Sequence, residues 1–216
     1  MFRAVFFDLD ELLIDARESH HEADVKVFKK YDMNFKKALR LTRDRDFLGT
    51  RLIDTLKVLR DVLGVSEKEL PLKELAKSRE EFFVHSVKQK ALLLPGADYA
   101  VKRTKKLGKI VGVISSGTKW YVETALSKFN LTPYVDFRIC EEDVEKGKPH
   151  PECYEKAYLR AQKFVKARKQ ECLVVEDSTN GVKAAHAAGL PTCLVPLYQP
   201  HRIWRDPSVV TLFVLL

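Results

Sequence analysis

Short apolar runs that stop abruptly at acidic or small polar residues recur along this chain. The first, Val5, Phe6 and Phe7, gives way at once to Asp8, Leu9, Asp10 and Glu11. A run this short, bounded by charge, reads as a buried strand. The pattern returns in "KIVGVISSG" (109–117), "VDFRIC" (135–140), "ECLVVEDS" (171–178) and "PTCLVP" (191–196), and the terminal "VVTLFVLL" reads as a last strand. Between them, "TKWYVETALSKFN" (118–130), "PECYEKAYLRAQK" (151–163) and "TNGVKAAHAAG" (179–189) read as helices. The second of these starts with a proline, which suits a first helical turn. Strands alternating with helices predict an α/β fold with a parallel sheet.

The segment between the first strand and this alternation is different. Residues 16–31 carry Ala23, Val27, Phe28 and Tyr31 at helical spacing. Residues 50–63 carry Leu52, Ile53, Leu56, Leu59 and Leu63, and Gly64 supplies a stop. Residues 67–89 continue in the same style, and "LLLPGA" closes the block at Pro95 and Gly96. The pattern therefore predicts a helical insertion over 15–94, hinged near Asp15 and Pro95, in a core built from 1–14 and 95–216.

Composition narrows the class. A chain of 216 residues that is 45% hydrophobic can bury a substantial core. No apolar stretch approaches the roughly 20 residues of a membrane helix, and acid follows the first apolar run too soon for a secretory signal. The four cysteines, Cys140, Cys153, Cys172 and Cys193, lie far apart and read as buried thiols in a reducing cytoplasm. The net charge of +8 is spread over stretches such as "KRTKKLGK" and interleaved with acids, which fits a solvated surface rather than a nucleic-acid site. A cytoplasmic monomer with no nucleic-acid or membrane partner is expected.

The candidate chemistry lies at the strand ends, where open α/β sheets bind ligands. The first end gives Asp8 and Asp10, whose spacing of two in extended chain points both side chains the same way. The second gives Ser115, Ser116 and Gly117. The third is followed by Lys148, and the fourth gives Glu176, Asp177 and Ser178. Converging carboxylates repel one another and call for a hard cation with oxygen ligands, such as Mg²⁺. A carboxylate can accept a phosphoryl group as a nucleophile. Hydroxyls and turn amides can cradle its oxygens, and a lysine can neutralise its charge.

In order and spacing these segments resemble the motifs of the haloacid dehalogenase superfamily phosphatases, in the subfamily with a cap inserted after the first strand. "DLDELLID" resembles the first motif, D-x-D-G-T/V-x-x-D; "VISSG" the second; "KGKPHPECY" the third; and "VVEDSTNGVKAAHAAG" the fourth. The resemblance covers essentially the whole chain. It implies a Rossmann-like core with helices on both faces and a helical cap over 15–94 that closes over the site. It implies Asp8 as nucleophile, Asp10 as general acid and then base, Ser115 as a phosphoryl hydrogen-bond donor and Lys148 as a bridge to Asp8. It also implies Mg²⁺ held by Asp8, the Asp10 carbonyl and Asp177, with Glu176 in or near the shell. His20, Arg51 and Lys119 are candidates to touch substrate, alongside Ser116 and Gly117. The expected partner is a small phosphorylated metabolite, probed first among sugar phosphates.

Glu11 departs from the family pattern, which has glycine there, and Leu12 stands in place of the usual Thr or Val. A glycine-type backbone at position 11 would be strained by a side chain. Two rivals follow. One is a phosphosugar mutase resembling β-phosphoglucomutase, favoured by His20 but lacking the cap-loop arginine at position 52. The other is a binding protein weakened at Glu11.

Overall fold

The computed structural model describes residues 1–31, 37, 40 and 47–195. Its five-stranded sheet is parallel throughout, in the order β5-β4-β1-β6-β7. The strands are β1 (Ala4–Phe7), β4 (Ile110–Ile114), β5 (Phe137–Ile139), β6 (Cys172–Glu176) and β7 (Thr192–Leu194). β1 is central: Ala4 pairs with Ile110 and Cys172, and Phe7 with Val113 and Val175. All four of its residues are buried, which explains a continuous apolar run where a half-exposed strand would alternate.

Alternate β1 side chains enter two apolar clusters. Val5 and Phe7 join Val111, Val113, Leu173 and Val175 against Val101 of α4 (Ala97–Lys106) and Val122 and Ala125 of α5 (Lys119–Lys128). Ala4 and Phe6 join Ile114, Cys172 and Val174 against Tyr154 and Ala157 of α6 (Glu152–Ala161) and Ala184 of α7 (Thr179–Ala187). Helices thus cover both faces, as expected for an α/β core.

The chain leaves and re-enters this core through a short antiparallel ribbon. β2 (Ile14–Asp15) pairs with β3 (Leu92–Leu93) through Ile14–Leu93 and Asp15–Leu92. Between them run α1 (Arg17–Lys30), α2 (Leu52–Leu63) and α3 (Leu72–Lys90). These helices have their own apolar cluster of Val27, Phe28, Leu56, Leu70, Leu72 and Leu75. Phe83, Val84 and Val87 of α3 instead reach the cluster under α5. Neither β2 nor β3 belongs to the main sheet.

Most strand and helix ends fall within three residues of the segments read from sequence; α3 starts five residues later than its segment, at Leu72, and ends one past it, at Lys90. Just before β5, Asp136 accepts from the Val111 amide at 2.9 Å and gives its own amide to the Val111 carbonyl at 2.8 Å. All four cysteines are free and buried. No helix among the described residues is long and apolar enough to cross a membrane. The segment "VVTLFVLL" lies outside the described residues.

Candidate active site

The parallel register sets the carboxyl ends of β1, β4 and β6 side by side, and the polar residues that follow them converge. The Asp8 amide donates to the Val175 carbonyl at 3.0 Å and the Ser115 amide to the Ile139 carbonyl at 2.9 Å, so ladder bonding runs directly into the site. Lys148 arrives from the loop before α6 and is 3% exposed. Its Nζ donates to Asp8 Oδ1 at 2.5 Å and to Glu176 Oε1 at 2.6 Å. Tyr154, on the first turn of α6, donates its hydroxyl to the same Glu176 oxygen at 2.5 Å. Glu176 Oε2 accepts from the Asp177 amide at 3.1 Å, the Ser178 amide at 3.2 Å and the Ser178 hydroxyl at 3.1 Å. Ser178 also caps α7 by accepting from the Gly181 amide at 3.0 Å.

This cluster is short of positive charge. Asp8, Glu176 and Asp177 can bring ligand oxygens within 4.8 Å of one another, and Lys148 is the cation among them. Burial raises the Asp8 carboxyl well above its ordinary range, and Glu176 adds to this against the opposing pull of Lys148. Asp177 is pushed up to about 9, by burial first and then by Asp8 and Glu176. Burial alone would discharge Lys148, but Asp8 and Glu176 outweigh it and hold the ammonium charged. Ionised together, the three carboxylates and one ammonium would leave two negative charges, which a divalent cation would balance. The donor set therefore fits a hard, oxygen-liganded metal. Glu176 is already an acceptor for five groups, so Asp8 and Asp177 keep the most free acceptor capacity.

Asp10 sits beside this cluster in different company. Its Oδ1 accepts a short hydrogen bond from the Tyr121 hydroxyl. His20 Nε2, from α1, lies 3.6 Å from the same oxygen. Arg79 NH2 lies 2.8 Å from His20 Nδ1, and since arginine only donates, Nδ1 accepts and Nε2 carries the proton toward Asp10. Arg79 is itself anchored to Asp24 Oδ1 at 2.7 Å. The His20 ring stacks on Phe83 with centroids 4.1 Å apart. The next residue, Glu11, has φ of +58°, the left-handed conformation that glycine adopts freely. Its carboxylate lies 3.1 Å from Arg17 Nε, and Arg17 also grips Asp15 in β2.

The segment 47–51 of the helical block also reaches the strand ends. The Ser116 hydroxyl donates to the Gly49 carbonyl at 2.6 Å, and the Asn180 amide group to the Leu48 carbonyl at 2.8 Å. Arg51 donates to the Val144 carbonyl at 3.2 Å but turns its fork on Asp54, at 2.7 and 3.1 Å. Lys119, about half exposed, pairs with Asp143 at 3.3 Å. Ser115 accepts from the Gly117 amide at 3.0 Å. Asp8, Lys148, Glu176 and Asp177 thus meet directly. Asp10 and His20 meet beside them, while Ser116, Arg51 and Lys119 are engaged by neighbouring protein groups.

Sequence reasoning missed Tyr121, Tyr154, Arg79 and Asn180. Tyr154 lies six residues past Lys148 on the first turn of the next helix, a spacing that carried a signal. Tyr121 and Arg79 carried none, because each looked like one more core or surface position on its helix.

Comparison with known proteins agrees with this arrangement. The family model of haloacid dehalogenase-like hydrolases matches residues 5–195. Hexitol phosphatase B of Escherichia coli (strain K12) is 28% identical over 210 residues, covering 96% of this chain and 88% of that protein. A phosphorylated carbohydrates phosphatase of Thermotoga maritima is 26% identical over 188 residues, covering 87% of this chain and 82% of its own. The crystal structure of CbbY from Rhodobacter sphaeroides in complex with phosphate superposes with a TM-score of 0.80 at 22% identity, covering 95% and 92% of the two chains. With its parallel sheet, its acids gathered at the strand ends and a family match across nearly the whole described core, the chain belongs to the haloacid dehalogenase-like hydrolases and is a phosphoric monoester hydrolase.

Proposed function

We propose that this protein is a Mg²⁺-dependent phosphatase that hydrolyses a small phosphorylated metabolite, a sugar or polyol phosphate, through an aspartyl-phosphate on Asp8. The observation that carries this reading is the Asp8–Lys148–Glu176 network with Asp177 beside it, buried at the carboxyl edge of the sheet. Relatives named for hexitol and carbohydrate phosphates support the substrate class.

In this mechanism Asp8 attacks the phosphorus atom. Lys148 holds the attacking carboxylate and offsets the charge of the transferred group. Asp10 gives a proton to the leaving oxygen, then takes one from the water that hydrolyses the aspartyl-phosphate. Ser115 and the turn amides after it supply hydrogen bonds to the phosphoryl oxygens. Asp8, Asp177 and the Asp10 carbonyl would hold Mg²⁺, with Glu176 behind them. When bound, the ion supplies charge neutralisation for the phosphoryl group. The helices of 15–94 act as a cap moving on the β2–β3 ribbon, and segment 47–51 closes the site against water.

The mutase reading is weaker. His20 facing Asp10 is shared with it, but Arg51, the cap-loop arginine nearest a second phosphate, is held by Asp54. The test is a screen of sugar and polyol monophosphates with Mg²⁺, run on the natural protein and on Asp8→Asn. Phosphate release by the former and none by a folded Asp8→Asn is expected. Turnover by Asp8→Asn, or turnover that requires an added bisphosphate, would overturn the reading.

A further inference from the structure

We infer that Tyr121 is a positioning residue that fixes the acid/base carboxylate of Asp10 from the core side; the inference rests on the phosphatase reading above. Tyr121 stands on the first turn of α5, directly after the Ser115–Thr118 turn, and is 1% exposed. A buried tyrosine needs a partner for its hydroxyl. Here that partner is Asp10 Oδ1.

The ring is held on several sides. Phe83 packs against it with centroids 4.7 Å apart. The Thr118 hydroxyl accepts from the Tyr121 amide at 3.2 Å and fixes where the helix starts. Gly117 completes the seat: a Cβ there would lie 2.5 Å from Tyr121 Cδ1, so the absence of a side chain is what admits the ring. The hydroxyl therefore has little freedom to leave Asp10.

Asp10 needs such a hold. It follows β1 outside the main sheet, and its other side-chain neighbour, His20, comes from α1 in the helical block. A contact from that block is present only while the block is docked. Tyr121 belongs to the core, as Asp10 does, and its bond to Asp10 does not cross to the block. Both contacts fall on Oδ1, which leaves Oδ2 to carry the proton.

In the first half-reaction the Asp8 oxygen–phosphorus bond forms and the bond from phosphorus to the ester oxygen breaks. Its electron pair goes to that oxygen, which takes the proton from Asp10. A carboxyl that points elsewhere fails in this step, and fails most for a leaving group that cannot depart as an anion. Misplacement by a small distance is enough to slow such a step substantially.

This gives a readout that a purely structural role would not move. The pair kcat/KM for phenyl phosphate and for p-nitrophenyl phosphate is measured with Mg²⁺, because the first leaving group needs protonation far more than the second. kcat/KM covers the first half-reaction only, so later steps do not blur it. Tyr121→Phe keeps the ring and its packing. We expect it to lower kcat/KM for phenyl phosphate about tenfold while p-nitrophenyl phosphate changes less than about twofold. Equal losses on both esters in Tyr121→Phe, or no loss on either, would overturn the role of Tyr121. Absence of turnover in the natural protein on both esters would overturn the phosphatase reading itself.

Discussion

Replacing Glu11 by glycine should stabilise this protein, and more at alkaline pH than at acid pH. Two separate penalties meet at this residue. Its φ of +58° places a side chain in left-handed backbone. That costs about 1–2 kcal/mol for a residue that is neither Gly nor Asn. Its carboxylate is 14% exposed and 3.1 Å from Arg17 Nε, but neither oxygen has a well-aligned hydrogen bond. Burial, with Asp10 and Asp15 close by, raises its carboxyl from 4.5 to about 7. A group whose pKa is higher folded than unfolded favours the folded state less as pH rises through that window, since the unfolded chain releases the proton first. The penalty is absent below about pH 4.5 and full above about pH 7. Allowing for partial exposure and for Arg17, it amounts to about 1–3 kcal/mol. Against these gains stand the extra freedom of glycine in the unfolded chain, about 0.5–1 kcal/mol, and the lost ion pair, under about 1 kcal/mol. The sum predicts that Glu11→Gly gains about 1–3 kcal/mol at pH 8 and about 0–1 kcal/mol at pH 5. Urea unfolding of both forms at the two pH values, with chelator present so that metal binding does not contribute, measures this. A glycine variant less stable at pH 8, or a gain that is the same at both pH values, would refute the reasoning. The same variant should keep its turnover, because Glu11 points to Arg17 and the β2–β3 ribbon rather than to the Asp8 cluster.

Two further predictions concern the closing segment and the metal. Gly49 has φ of +75°, and a Cβ there would lie 2.5 Å from Ser178 Oγ. Gly49→Ala should therefore lower kcat/KM at least tenfold on the best sugar or polyol phosphate, with an unfolding midpoint lowered by about 2–8 °C from the left-handed strain; full activity would show that segment 47–51 need not seat on the core. A chelator should abolish turnover and lower the unfolding midpoint, Mg²⁺ should restore both, and Ca²⁺ should restore stability but not turnover, because its looser coordination misplaces the attacking oxygen. An unfolding midpoint indifferent to Mg²⁺ would remove the case for an ion between Asp8 and Asp177.

The sheet was legible because buried parallel strands leave a strong trace: β1, β4 and β6 are apolar runs cut off by the polar residues that serve the site. The helical block was legible from apolar spacing and from the Pro95–Gly96 break. Asp8, Lys148, Glu176 and Asp177 could be brought together on paper because chain topology dictates that parallel strand ends are neighbours. The strain at Glu11 was also readable, since a side chain stood where a glycine conformation was expected, and its φ is positive. What could not be read was partner choice. Arg51 spends its fork on Asp54, and Ser116 donates to Gly49. Such choices depend on distances of a few tenths of an ångström across elements far apart in sequence, and no local pattern encodes them. Glu176 shows the same limit from another side. Its place next to Asp177 suggested a metal ligand, but nothing local announced that it also accepts from five donors, Lys148 and Tyr154 among them.

The turn from Ser115 to Thr118 ties these threads together, because adjacent residues face different bodies. Ser115 accepts from the Gly117 amide within the turn. Ser116 reaches the carbonyl of Gly49 in the segment that closes the site. Gly117 makes room for the ring that holds Asp10. Thr118 caps α5 and donates to Glu80 on α3. A parallel strand followed by a helix must make a turn here, and the amides of that turn face the ligand in any fold of this kind. In this chain two side chains of that turn, Ser116 and Thr118, also bond to the helical block. The turn that carries Ser115 and leads to Tyr121 is thereby tied to the helical block at two points, by the Gly49 carbonyl at Ser116 and by the Glu80 carboxylate at Thr118.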